Sequence, residues 1–354
     1  MINTMSTHIS FRSRPASSES EIVRDIIRTL SSGDFIHLQN LQMNWCDFEH
    51  VSPEELATIV SLLDSIDLSY SSKIRAPHLR ALYTTISRFD KKITSLDMTG
   101  INHILVEPKY LASAISNINF IRLNNCNITK NQLCSIYEHM FAYKTRAPLG
   151  FSLCWTNHSE IPKSILIPCL SNLRYIELIR CNLTMSQLRS FYDCMWNNIR
   201  FDSNNIPYSK LEELNITDSD HQNVDINHLI GVIITTKAVS LNSCNLTNYQ
   251  LSGIYHAILH GWKVNLNRLS ICYSDHRYVE PVLLGSALAK LEHVYLLFCH
   301  FTDAQVCSII ERLNLKSDEL LFMVRDRYLL TKDFCKSTIW NWMLSLSKRK
   351  SHEL

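Results

Sequence analysis

Histidine and cysteine are among the side chains here that could ligate a metal or act as nucleophiles. Four histidines form a series, His103, His158, His221 and His276, each preceded by Asn or Asp. A transition-metal ion needs its ligands within about 2 Å of it. The spacings of 55, 63 and 55 residues place the four in successive copies of a repeat instead, and equivalent positions two strands apart in a sheet are separated by about 10 Å. They are expected to hold turns together by hydrogen bonds to a neighbouring coil, not to share an ion. His256 and His260 lie one helical turn apart, but the intervening Ala-Ile-Leu supplies no catalytic glutamate. The sequence contains no C-x-x-C pair, no G-x-S-x-G elbow and no G-x-x-x-x-G-K-[ST] loop. Zinc clamps, hydrolase chemistry and a phosphate-binding loop therefore lack support. No enzymatic activity and no cofactor are expected.

The elements that would position these residues come from an internal repeat. Residues 123–133, 178–188, 241–251 and 296–306 align without gaps. Each begins with leucine (Leu123, Leu178, Leu241, Leu296) and carries cysteine at its fourth place (Cys126, Cys181, Cys244, Cys299). Threonine follows at the seventh (Thr129, Thr184, Thr247, Thr302), and Gln132, Gln187, Gln250 and Gln305 come three residues later. With the apolar residues that precede them, the pattern is L-x-x-L-x-L-x-x-C-x-L. Copies lacking the cysteine start at Ile93, Leu211 and Leu266, and a degenerate one runs through Phe151 and Leu153. One strand residue per copy serves as a marker: Leu41, Ile66, Leu96, Ile121, Phe151, Ile176, Leu214, Val239, Leu269 and Val294. The steps are 25, 30, 25, 30, 25, 38, 25, 30 and 25, so short and long units alternate with a combined period of 55. The long step of 38 carries eight extra residues in the polar stretch 197–208, read as a loop insertion.

Physical chemistry gives each position a task. L-x-L puts two apolar side chains on one face of a short strand and the residue between them on the other. Thr paired with Gln three residues on, and Ser52 with Glu55, are capping boxes that start a helix. Apolar residues at helical spacing follow, as in Leu133, Ile136, Tyr137 and Met140. The cysteine column, with Cys46 in the matching place, is expected to be small, buried and reduced. Asn127, Asn182 and Asn245 match glycosylation sequons only because a polar turn residue precedes an apolar anchor and a capping threonine.

This pattern resembles the ribonuclease-inhibitor-like leucine-rich-repeat family, which includes ribonuclease inhibitor, the repeat regions of NOD-like receptors and the Ran GTPase-activating protein. The resemblance spans about residues 36–325. It implies an α/β fold: a horseshoe-shaped solenoid with a parallel concave sheet and convex helices. Around about ten repeats, residues 1–20 are expected to be a disordered arm, 21–35 a capping helix, and 326–354 a C-terminal cap with a basic tail at Lys348, Arg349 and Lys350.

The 35 basic and 33 acidic residues nearly cancel, to a formal charge of +2, so no nucleic-acid or membrane partner is expected. The first twenty residues contain no apolar leader segment, and the expected setting is cytoplasmic. What remains is a surface for another protein. Between the strand anchors lie Gln42, Asp67, Asp97, Arg122, Ser152, Glu177, Asn215, Ser240, Ser270 and Tyr295. Two positions past the second anchor come Trp45, Tyr70, Trp155, Arg180, Tyr273 and Phe298, an aromatic and arginine-bearing rim of the kind that dominates interface energies. With Arg122, Glu177 and Tyr295 these form the candidate partner site of a non-enzymatic scaffold. The alternative is a regulatory subunit such as a ubiquitin-ligase substrate receptor or a GTPase activator.

Overall fold

The computed structural model describes residues 8–10, 19–31, 40–143, 147–201, 207–261 and 264–313. Strand and helix alternate along it, because each copy of the repeat supplies a stretch of period two followed by a capped stretch of period 3.6. The strands are β1 (His8–Ser10), β2 (Asn40–Gln42), β3 (Ser65–Asp67), β4 (Ile93–Asp97), β5 (Ile118–Arg122), β6 (Gly150–Ser152), β7 (Tyr175–Glu177), β8 (Arg200–Phe201), β9 (Pro207–Tyr208), β10 (Glu213–Asn215), β11 (Ala238–Ser240), β12 (Arg268–Ser270) and β13 (His293–Tyr295). All but β8 and β9 form one eleven-stranded parallel sheet in chain order. Its register puts every marker residue in one row, Leu41 against Ile66, Ile66 against Leu96, and so on to Leu269 against Val294.

The helices explain the two unit lengths. Short units carry α2 (Pro53–Val60), α4 (Pro108–Ile115), α6 (Lys163–Leu170), α8 (Ile226–Thr235) and α10 (Pro281–Leu288), of 8 to 10 residues. Long units carry α3 (Ala76–Ser87), α5 (Lys130–Ala142), α7 (Met185–Asn197) and α9 (Asn248–His260), of 12 or 13. One extra helical turn thus accounts for most of the five-residue difference. Pro53, Pro108 and Pro281 begin three short helices, where a missing N–H costs no intrahelical bond. Marker residues and helix faces such as Leu133, Ile136 and Tyr137 merge into one continuous apolar core.

Three features differ from the sequence reading or add to it. The stretch expected to be a disordered arm contains β1, which pairs with β2 through His8 and Asn40; an uncovered edge strand offers unpaired backbone groups that such an addition satisfies. Helix α1 (Glu19–Ser31) begins within that stretch too, and buries Val23 and Ile27 against the first unit. Part of the insertion forms an antiparallel pair, β8 with β9, as a two-stranded sheet of its own. Helix α11 (Asp303–Leu313) is the last described element, and the expected C-terminal cap at 326–354 lies outside the described residues. No described helix is long and apolar enough to cross a membrane.

Candidate functional site

Four residues past its marker, each of the ten units turns through a left-handed backbone: Trp45, Tyr70, Gly100, Asn125, Trp155, Arg180, Asp218, Ser243, Tyr273 and Phe298, with φ between 49° and 79° among all such residues. Glycine takes this conformation freely and asparagine tolerates it, but a bulky side chain there is an outlier costing about 1–2 kcal/mol. Half of the column is nevertheless aromatic, and Trp45, Tyr70, Trp155 and Tyr273 are 51%, 44%, 53% and 59% exposed. Trp45 stacks on Tyr70 and Tyr273 on Phe298, with ring centroids 4.6 and 4.5 Å apart. A methyl group at Gly100 would meet Tyr70 Cδ1 at 2.7 Å, so the Tyr70 ring lies over a position that only glycine leaves open. Arg180 Nε donates to Asp218 Oδ2 at 2.8 Å. Asn127, Asn182 and Asn245 are left-handed as well, which is the turn that creates their sequons.

The histidine series is buried, structural and fully paired. In each case Nδ1 is 2.7–3.2 Å from the carbonyl two residues earlier, and Nε2 is 2.6–2.9 Å from a buried tyrosine hydroxyl: Tyr83, Tyr137, Tyr192 and Tyr255 in turn. A carbonyl only accepts, so Nδ1 carries the proton, Nε2 accepts, and the tyrosine donates. Burial pushes His103, His158 and His221 down to about 4. The histidine carbonyls in turn accept from Gln132, Gln187, Gln250 and Gln305, whose amides also serve the carbonyls of Val106, Ile161, Val224 and Val279. Each Tyr–His–Gln clamp therefore ties three successive coils together. Near the start, Phe48 occupies the histidine place, and His78 does the glutamine's work, accepting from Arg75 N–H and bonding Val51 O at 2.8 Å.

The cysteine column is structural as well. Cys126, Cys181, Cys244 and Cys299 donate to the carbonyls of Met98, Leu153, Ile216 and Ile271 at 3.0–3.1 Å. Burial raises the first three thiols to about 12, which keeps them protonated at neutral pH. The rings of His256 and His260 are 4.6 Å apart, yet among the described residues no group of three His, Cys, Asp or Glu could hold a metal ion.

On the helix-free face, residues flanking the markers form two adjacent hollows. The larger, about 450 Å³, is bordered by Phe120, Arg122, Ser152, Tyr175, Glu177 and Glu213 among others. A smaller one of about 250 Å³ lies beyond Glu213 and reaches Arg268 and Tyr295. Of the nine candidate residues, Arg122 and Glu177 thus share one hollow and Tyr295 borders the other. Trp45 and Tyr70 stack at one end of the sheet, Tyr273 and Phe298 at the other, and Trp155 and Arg180 stand between. Phe120, Gly150 and Tyr175 were not singled out from the sequence, because they precede the marker, at a place the repeat pattern leaves undefined. Compared with protein-family models and with curated proteins, the chain matches none.

Proposed function

We propose that this chain is a leucine-rich-repeat solenoid of the ribonuclease-inhibitor type, curved as a horseshoe. It acts in the cytoplasm as a non-enzymatic module that binds another protein on its concave sheet and the adjoining rim. The carrying observation is the left-handed column: bulky aromatic side chains are kept both strained and exposed, at positions where Gly100 and Asn125 show that small or polar residues suffice. Neither strain nor apolar exposure stabilises the free chain, and aromatic stacking returns only about 0.5–1.5 kcal/mol per pair. A partner covering the rings would bury that surface and use them as anchors.

Affinity capture with the intact chain, and with a chain carrying Trp155→Ala and Arg122→Ala together, tests the reading. Loss of the captured partner from the double variant is expected. Undiminished recovery would show that binding occurs elsewhere, and recovery of cullin adaptors or a small GTPase would shift the reading to a regulatory subunit.

A further inference from the structure

The larger hollow has a definite chemistry. Gly150 lies on β6 between Phe120 and Tyr175, and a Cβ there would come within 2.6 Å of Phe120 Cδ1. Its absence lets the two rings meet across the strand, edge against face, with centroids 5.1 Å apart. The Tyr175 hydroxyl donates to Glu212 Oε2 at 3.1 Å, which fixes that ring. Beside this wall stand three ionised side chains. Arg122 faces Asp97 at 3.7 Å and Glu213 accepts from Arg268 at 2.6 Å, so both are balanced within the protein. Glu177 lines the same hollow, but its side-chain hydrogen-bond partners are neutral, the Ser152 hydroxyl at 2.6 Å and Asn215 Nδ2 at 3.5 Å, and among the described residues it joins no ion pair.

The same cluster is one donor short. The Ser152 hydroxyl carries a single proton, yet it sits 2.6 Å from Glu177 Oε2 and 2.7 Å from Asn124 Oδ1. The Asn124 atom is fixed as oxygen because it also accepts from Cys154 N–H at 2.7 Å. Whichever acceptor the hydroxyl serves, the other lacks that bond. An unpaired carboxylate, a missing donor and an aromatic wall together ask for a group that is positively charged and rich in N–H. A carboxylate or phosphate would add both charge and acceptors of the wrong kind.

Resting on the interaction-module reading above, we propose that this hollow receives a lysine or arginine side chain of the protein partner, paired to Glu177 and laid against Phe120 and Tyr175. The test presents a displayed library of random unstructured peptides to the full chain. Expected is enrichment of peptides sharing a lysine or arginine, whose binding weakens about tenfold to a hundredfold with Glu177→Gln. Phe120→Ala should weaken the same peptides, and the surface control Glu160→Gln should not. The glutamine variant keeps its size and brings a donor to Ser152, so its fold is retained, which circular dichroism checks. If the enriched peptides depend on Trp155 and Arg122 but share no cation, or ignore Glu177→Gln, the cation pocket is overturned while the interaction surface stands. If no peptide is enriched, or binding ignores all these substitutions, both are overturned.

Discussion

A buried imidazole whose Nδ1 is committed to a carbonyl cannot take up a second proton without giving up the hydrogen bond it accepts at Nε2, turning its tyrosine partner from donor to acceptor, and placing a charge in the core. That holds for His103, His158 and His221, pushed down to about 4 from an ordinary 6.5. Between those values the unfolded chain binds more protons than the folded one, so stability is fully present above the higher value and is lost as pH falls toward the lower. Complete protonation would remove on the order of 3 kcal/mol per histidine. Urea midpoints should therefore drop steeply between about pH 7 and about pH 5, and a flat profile would contradict the clamp. Tyr137→Phe at neutral pH should cost about 1–3 kcal/mol, because it leaves His158 Nε2 buried without a donor; an unchanged unfolding midpoint would show that the bond does not matter.

At the scale of the element, the capping boxes do more than start helices. Gln187 Oε1 accepts from Thr184 N–H at 2.7 Å, as any capping box requires, while its Nε2 donates to the carbonyls of His158 and Ile161, each at 2.8 Å, in the preceding coil. Gln187→Glu would keep the cap and turn a donor into a charged acceptor facing two buried carbonyls. It is expected to destabilise the chain by more than Thr184→Ala, which loses a cap worth about 1 kcal/mol. The reverse ranking in thermal melts would mean that the link between coils is unimportant. Ser52 has Glu55 instead, and there the acid's second role is an exposed ion pair with Arg28. The ten repeat strands and these boxes were legible because L-x-L and T-x-x-Q are local patterns. The tyrosine partners were not, since 20 to 29 residues separate Tyr from His and the distance changes at the insertion. Strand β1 also escaped, for His8–Ser10 carries no repeat signal and is defined only by the edge it joins.

For the whole molecule, the clamps and the left-handed column point to a division of labour. Tyr83, Tyr137, Tyr192 and Tyr255 are fully buried between coils, whereas Trp45, Tyr70, Trp155 and Tyr273 stand exposed along one rim. The rim positions were readable from composition at a fixed offset, but the hollow beside them was not, because Phe120 and Tyr175 meet only through the glycine on the strand between them. Hydroxyl-radical footprinting of the full chain, alone and with its captured partner, addresses stacking and binding together. In the free chain the four rim aromatics should oxidise readily and the four clamp tyrosines hardly at all, and the partner should protect Trp155 in particular. Clamp tyrosines as reactive as the rim, or a rim whose oxidation the bound partner leaves unchanged, would contradict a stacked solenoid that binds through this surface.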